Sequence, residues 1–398
     1  MGVERDFTRV GIGWQIGAQS GWGTYGVNLA LELVRKGIEP ALFMAASQLY
    51  VTRPQAELLR VPNMKMREWN AMAMKGAKNG GYETDFPIVH ALGDKLVYPN
   101  RLNNLKGHPN AGAVFFESAD VPAENIEAAK IFDVIITGSG WNAKVLENLG
   151  MTNVRNCPQG VDIELFKPGP RQNRFPDRFT VFSGGKLEYR KGQDIVVAAF
   201  KQFHARHPEA LFVPAWNSPW PETAKTIKAS QHVTGLPNVD ANNHFETTAW
   251  LSANGIPPDA VADPGLMANA GIPGFLREMD LAVFPNRCEG GTNLAAMECM
   301  ATGVPCVISR NTGHLDLIGE GNCYVLEDQG PCVSDGTDAS NFTDWGESSV
   351  EELLEKMEQA YADKSDRERR GAAGAAFMQG WSWSIQVDRL LDALAAFR

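Results

Sequence analysis

The chain has 398 residues, 44% of them apolar and 21% charged, with a formal net charge of -10. That length exceeds one ordinary core and predicts two or three domains, while the acidic balance excludes a generally basic nucleic-acid footprint. Its six cysteines (157, 288, 299, 306, 323 and 332) form no CxxC pair, and no apolar run reaches the length of a membrane span. With nothing at the N-terminus resembling a signal peptide, the expectation is a cytoplasmic protein with reduced, buried thiols.

Short apolar runs alternate with helical patterns along the chain. Strands are expected at 10–13, 41–44, 88–92, 113–116 and 134–137. Between the first two, Val27, Leu31 and Val34 recur at helical spacing, and Gly37 stops that helix. A second helix fits 141–149, stopped by Gly150. After a Pro/Gly/Arg-rich stretch near 166–176 the alternation restarts, with strands expected at 179–183, 210–214, 281–284 and 305–308. Strands alternating with helices imply parallel sheets covered on both faces, and the restart implies two of them. The last helical pattern carries Leu390, Leu391, Leu394 and Phe397 on one stripe. The fold class is therefore α/β, with ligands expected in a cleft beyond the strand carboxyl ends.

Near the start, Gly21-Trp-Gly-Thr-Tyr-Gly26 matches the glycine spacing of a dinucleotide fingerprint. The fingerprint requires its glycines directly after strand one and an acid closing strand two. Here 15–20 intervene, and strand two ends in Phe43-Met-Ala-Ala46, so the pattern does not meet the requirements for NAD binding. The Gly21-Trp22-Gly23 loop remains a candidate to meet an acceptor or a phosphate, with Trp22 available either to stack on a sugar ring or to pack. Residues 53–78 hold six basic residues against two acidic ones, with methionines interleaved. This stretch reads as a mobile surface excursion, and its functional alternative is contact with membrane lipid or a phosphorylated acceptor.

The chemistry concentrates in two segments of the second half. In Gly185-Lys-Leu-Glu-Tyr-Arg-Lys-Gly192, Lys186 and Lys191 follow a strand, where they can meet a diphosphate and stabilise its growing charge as it leaves. In 286–305, an apolar strand gives way to the polar loop Glu289-Gly-Gly-Thr-Asn293 and then to a helix beginning near Leu294. A helix start presents unpaired N–H groups to an anion, Thr292 can cap it, and Glu289 and Glu298 bracket the site. A ligand with both phosphate and hydroxyl groups fits, which points to a nucleotide sugar. Trp216, following a strand, is a candidate for the base. No Asp-x-Asp pair and no metal-spaced cluster occurs, so the expectation is no metal and no cofactor beyond the nucleoside diphosphate sugar.

These segments resemble the retaining GT-B glycosyltransferases of family 4. The resemblance rests on Gly185 to Gly192, on Glu289 to Glu298, on Gln159-Gly-Val-Asp162 with Phe166, and on Thr312-Gly-His-Leu-Asp316. It implies two facing Rossmann-like domains with an interdomain cleft: an acceptor-binding domain over 1–168, a donor-binding domain over 169–378, and a terminal helix over 379–398 packing back on the first. Lys186 and Lys191 would neutralise the donor diphosphate, Lys186 standing where the family has an arginine. Glu298 would accept from the ribose hydroxyls, while Glu289 and the backbone from Gly290 through Gly291, Thr292 and Asn293 to Leu294 would hold sugar and diphosphate. Eight residues separate the two glutamates here, where the family has seven. Where many relatives carry an N-domain histidine near the reacting carbon, this chain has Glu117, and His90 ends a different strand. The implied activity is retaining hexosyl transfer from a UDP- or GDP-sugar to a carbohydrate or lipid-linked acceptor, with peripheral contact at the inner membrane face. The alternatives are a nucleotide-sugar epimerase of the same architecture and a catalytically weak nucleotide-sugar-binding protein.

Overall fold

A computed structural model describes residues 7–18, 20–98, 104–332, 342 and 344–398. The chain forms two compact units: Met1–Gly160 with Trp381–Arg398, and Val161–Gly380.

In the first unit the chain runs β1 (Arg9–Ile12), α1 (Gly21–Arg35), β2 (Glu39–Leu42), α2 (Arg53–Lys78), β3 (Tyr82–Glu83), β4 (Ile88–Ala91), β5 (Leu105–Lys106), β6 (Asn110–Val114), α3 (Ala123–Ala128), β7 (Val134–Thr137), α4 (Gly140–Asn148) and β8 (Val154–Asn156). Six strands form one parallel sheet in the order β2-β1-β4-β6-β7-β8, and β3 pairs with β5 beside it. The central strands β6 and β7 are buried along their whole length, as parallel strands covered on both faces must be. β8 gives no strand signal in the sequence, because Arg155 and Asn156 are polar at the exposed edge.

Two local expectations change here. The glycines of Gly21-Trp-Gly-Thr-Tyr-Gly26 are not a loop: they form the first turns of α1, which Ser20 caps by accepting from the N–H of Gly23. A Cβ at Gly23 would lie 2.5 Å from the carbonyl oxygen of Gly17, so the glycine is needed for close approach. The basic stretch is also ordered, as the 26-residue helix α2, started by a capping box between Thr52 and Gln55.

The second unit runs β9 (Phe179–Gly184), α5 (Gln193–Arg206), β10 (Ala210–Ala215), α6 (Thr247–Ala253), α7 (Ile272–Leu276), β11 (Leu281–Phe284), α8 (Leu294–Thr302), β12 (Cys306–Ser309), β13 (Tyr324–Leu326), β14 (Gln329–Pro331), β15 (Gly346–Ser348), α9 (Val350–Ala362) and α10 (Lys364–Met378). Its parallel sheet has the order β10-β9-β11-β12-β13, and β14 pairs with β15 in an antiparallel ladder. α5 packs with α9, and α8 with α10. Phe200, Phe203, Phe212, Trp216, Trp250, Leu281 and Val283 belong to one buried cluster, each large side chain contributing about 2 kcal/mol of burial.

The units divide at 160/161 rather than 168/169, because 161–168 is tied into the second unit. Phe166 is buried after a turn closed on the Asp162 carbonyl, and the Lys167 carbonyl accepts from Arg277. The chain ends in the first unit as α11 (Trp383–Ala395). There Trp383 stacks on Tyr25, and Lys36 pairs with Asp388 at 2.9 Å.

Candidate functional site

In the second sheet β10 lies outside β9 and β12 lies beyond β11, so the strand order reverses between β9 and β11. Connections leave such a point in opposite directions and open a crevice past the strand carboxyl ends. Both chemistry-bearing loops start there, 185–192 after β9 and 285–293 after β11. They touch at Gly192, whose φ is +66° and where a Cβ would sit 2.1 Å from the Pro285 carbonyl oxygen. Only glycine meets both demands. A third loop, after β12, backs them. Gly313 donates its N–H to the Glu289 carbonyl at 2.9 Å, and Thr312 Oγ1 accepts from the Glu289 N–H at 2.8 Å.

Three cations and two carboxylates meet in these loops. Lys186 Nζ lies 2.7 Å from Glu188. Arg190 donates to Glu188 at 2.9 Å, to Glu289 at 3.0 Å and to the Cys288 carbonyl at 3.2 Å. Lys191 and the Asn286 amide both donate to the other Glu289 oxygen. One positive charge is left in excess, and the side chains differ in depth: 40% of Lys186 is exposed against 12% of Lys191 and 6% of Glu289. Burial works against the Glu289 charge, yet Lys191 and Arg190 prevail and hold its pKa near 2. Burial in turn holds Lys191 below the usual lysine range, against the pull of Glu289. Glu188 also stays below the usual carboxylate range, because Arg190 and Lys186 outweigh its burial.

A second ion network locks this floor. Arg287 is fully buried and makes a two-pronged contact with Asp194 at 2.7 and 2.8 Å. It also donates to Glu347 and lies 3.7 Å over the ring of Tyr189. Asp194 opens α5 and Glu347 sits on β15, so one guanidinium ties together three segments distant in sequence.

Asn293, rather than Thr292, caps α8: at φ +66° its side chain accepts from the Ala296 N–H, while the Thr292 hydroxyl is turned inward to Met297 sulfur. The Asn293 amide donates to His314 Nε2 at 3.0 Å, so His314 carries its proton on Nδ1, 2.9 Å from Ser309 Oγ, which donates to the Asn286 carbonyl. Burial pushes the His314 pKa down to about 4, which keeps this relay neutral. Along α8 only Leu294, Ala295 and Glu298 escape full burial, and they share one face. Burial and the nearby Asp162 charge push the Glu298 pKa up to about 8.

The structure brings Gly185, Lys186, Lys191, Glu289, Gly290, Gly291, Thr292, Asn293 and Leu294 into these contiguous loops, with Glu298 one helical turn beyond Leu294. Trp216 does not join them. Its indole is fully buried, donates to Ser183 Oγ at 3.1 Å and packs edge-on against Phe212 and Trp250, which corrects the expectation that it meets a base. In the first unit, Glu117 is half-buried past β6, its N–H donating to Asp94. His90 is buried, with Nε2 donating to Asn110 Oδ1 and Nδ1 accepting from Tyr98, each at 3.0 Å; burial holds its pKa near 4. Trp22 is half-buried within a ring cluster of Trp14, Tyr25 and Phe115.

Residues 143–390 match the family described as Family 4 Glycosyltransferase in conflict systems. The chain belongs to this family. Among curated relatives, a GDP-mannose-dependent alpha-(1-6)-phosphatidylinositol dimannoside mannosyltransferase of Mycobacterium tuberculosis is 25% identical over 258 residues, covering 63% of this chain and 58% of that protein. A D-inositol 3-phosphate glycosyltransferase of Acidothermus cellulolyticus is 26% identical, covering 61% and 51%. The chain thus spans a little over half the length of the curated relatives it matches. Solved structures agree in fold along nearly the whole chain. The alpha,alpha-trehalose-phosphate synthase (UDP-forming) of Burkholderia vietnamiensis gives a TM-score of 0.65 at 13% identity, covering 98% of each chain. Anabaena HepE in complex with UDP and glucose gives 0.63 at 14%, covering 98% of this chain and 100% of that one. The fold is the GT-B fold, with two Rossmann-like parallel-sheet units.

Proposed function

We propose that this chain transfers a hexose from a nucleoside diphosphate sugar to an acceptor hydroxyl with retention at the anomeric carbon and without a metal ion. The observation that carries the proposal is the cation cluster at the switch point of the second sheet, beside the capped start of α8 and below the open Glu298 face. In this reading Lys186, Arg190 and Lys191 supply the charge neutralisation that a metal gives elsewhere. Glu298 accepts from the ribose hydroxyls, and the backbone from Gly290 to Leu294 meets the diphosphate. The bond from the anomeric carbon to the diphosphate oxygen breaks as the acceptor oxygen bonds to that carbon on the same face. The acceptor proton passes to the departing phosphate oxygen, so no protein nucleophile is required.

The named relatives support transferase chemistry over the epimerase alternative. The mannosyltransferase uses GDP-mannose by name, whereas HepE was solved with UDP, so both bases stand as candidates. Acceptor recognition is assigned to the carboxyl edge of the first sheet, around Gly21, Trp22, Gly23 and Glu117, with His90 supporting that edge from within. α2, basic and methionine-rich, is the surface proposed to touch the inner face of a membrane.

A thermal-shift panel of UDP-, GDP-, ADP- and dTDP-sugars tests the donor site, since a ligand at a hundred times its Kd stabilises by about 2.7 kcal/mol. One donor is expected to raise Tm and to glycosylate an acceptor with retention in the presence of EDTA. Sugar isomerisation with no acceptor present would favour the epimerase reading, and a shift without transfer the weak-binder reading. No shift with any donor refutes the proposal.

A further inference from the structure

Glu188 belongs to none of the roles assigned above, yet it lies at the centre of the cation cluster. Its carboxylate is 12% exposed and contacts Lys186 at 2.7 Å and Arg190 at 2.9 Å. The backbone at Glu188 is extended, and its carboxylate bridges Lys186, two residues before it, and Arg190 in the single helical turn that follows. That backbone does not depend on the carboxylate. Gln193 at the start of α5 accepts from the Glu188 N–H at 3.2 Å and donates to the Lys186 carbonyl at 2.7 Å, so the loop is clamped from outside.

Glu289 differs. It is held by Lys191, Arg190 and Asn286 together, and its backbone N–H and carbonyl are fixed by the loop after β12. Of the two carboxylates, Glu188 is therefore the one able to swing away, and its partner Lys186 is the most exposed cation of the cluster.

We infer that Glu188 is a built-in stand-in for the donor diphosphate, so that donor binding is an exchange of anions on Lys186 and Arg190. This deepens the proposed function and rests on it. The exchange has two consequences. Affinity for the nucleoside diphosphate is lower than three cations would give, because an anion must be displaced. After transfer, the returning carboxylate competes the product off the same cations and hastens release, a step that limits turnover in many enzymes. Arg190 becomes the shared residue: released by Glu188, it remains held by Glu289 while it meets the diphosphate.

The test compares wild type with Glu188→Gln and Glu188→Asp for binding of GDP, UDP and inorganic pyrophosphate by calorimetry, and for product release by stopped-flow. Removing the competing charge is expected to tighten the preferred nucleoside diphosphate and pyrophosphate by about fivefold or more, and to slow product release in proportion. E188D, which keeps the charge but withdraws it by one methylene, is expected between the two, and it carries the test if E188Q folds poorly. A purely structural salt bridge gives the opposite outcome, with unchanged or weaker binding in a less stable protein, and that result overturns the inference alone. Failure of wild type and variants to bind any of the three anions overturns it together with the reading of the site.

Discussion

Lys191 and Lys186 flank the same diphosphate position in the proposed reaction, but their surroundings predict unequal contributions. Lys186 is 40% exposed, so its charge acts largely through water; Lys191 is 12% exposed and acts through protein. Two unit charges about 4 Å apart interact by roughly 4 kcal/mol at an effective dielectric of about 20, and by roughly 1 kcal/mol in water. If the departing diphosphate gains its charge at that range, Lys191→Ala loses up to about a thousandfold in kcat, whereas Lys186→Ala loses about fivefold. Part of the Lys191 interaction is already spent on Glu289, so the expected loss for Lys191→Ala is about a hundredfold or more, with the order of the two variants unchanged. Steady-state kinetics with saturating donor, alongside melting curves to separate folding from chemistry, measure both. Equal losses, or a larger loss at Lys186, would refute the argument from burial.

Two further outcomes follow from the same geometry. The Glu298 carboxyl, raised from 4.5 to about 8, favours folding while protonated; its contribution is complete below pH 4.5 and is lost as pH rises through 8. A ribose hydroxyl favours the ionised form, so melting without donor should show stability falling across that window while donor affinity climbs toward pH 8, and both slopes should vanish in Glu298→Gln; identical slopes in the variant would remove Glu298 from the ribose. On α2, Met64 and Met74 are 67% and 53% exposed beside Arg60, Arg67, Lys75 and Lys78. Cosedimentation should show binding to vesicles of anionic but not zwitterionic lipid, weakening about fivefold per removed cation, since each contributes about 1 kcal/mol near such a surface; indifference to lipid charge would count against the membrane face.

Much of the architecture was legible because parallel strands buried on both faces write themselves as apolar runs. β9, β11 and β12 are such runs, and the lysines and glutamates that the resemblance marked follow β9 and β11. Weak elements were lost for the same reason. β8 is half polar at a sheet edge, and the glycines of α1 look like a loop until Gly17 is seen pressed against Gly23. At Trp216 the sequence is ambiguous, because a tryptophan after a strand has the same local signal whether it faces a ligand or the core. What decides is Trp250, 34 residues downstream on α6, which closes over it. Arg287 and Asp194 had no signal, since a buried ion pair is made by segments that meet only in the fold, and within 312–316 nothing showed that His314 would bridge Asn293 and Ser309.

The two glutamates illustrate what spacing can and cannot specify. Glu298 sits on a regular helix, one turn from Leu294, so its place is set by the period of α8 and by the Asn293 cap that starts it. An added residue ahead of that cap leaves it where it is. Glu289 has no such ruler, because it stands in a loop whose path depends on its contacts. The loop after β12 grips its backbone, and Arg190, Lys191 and Asn286 grip its carboxylate. Five hydrogen bonds replace the missing periodicity. From that anchored position the loop at 290–293 carries the chain to the left-handed Asn293, which turns it into the helix.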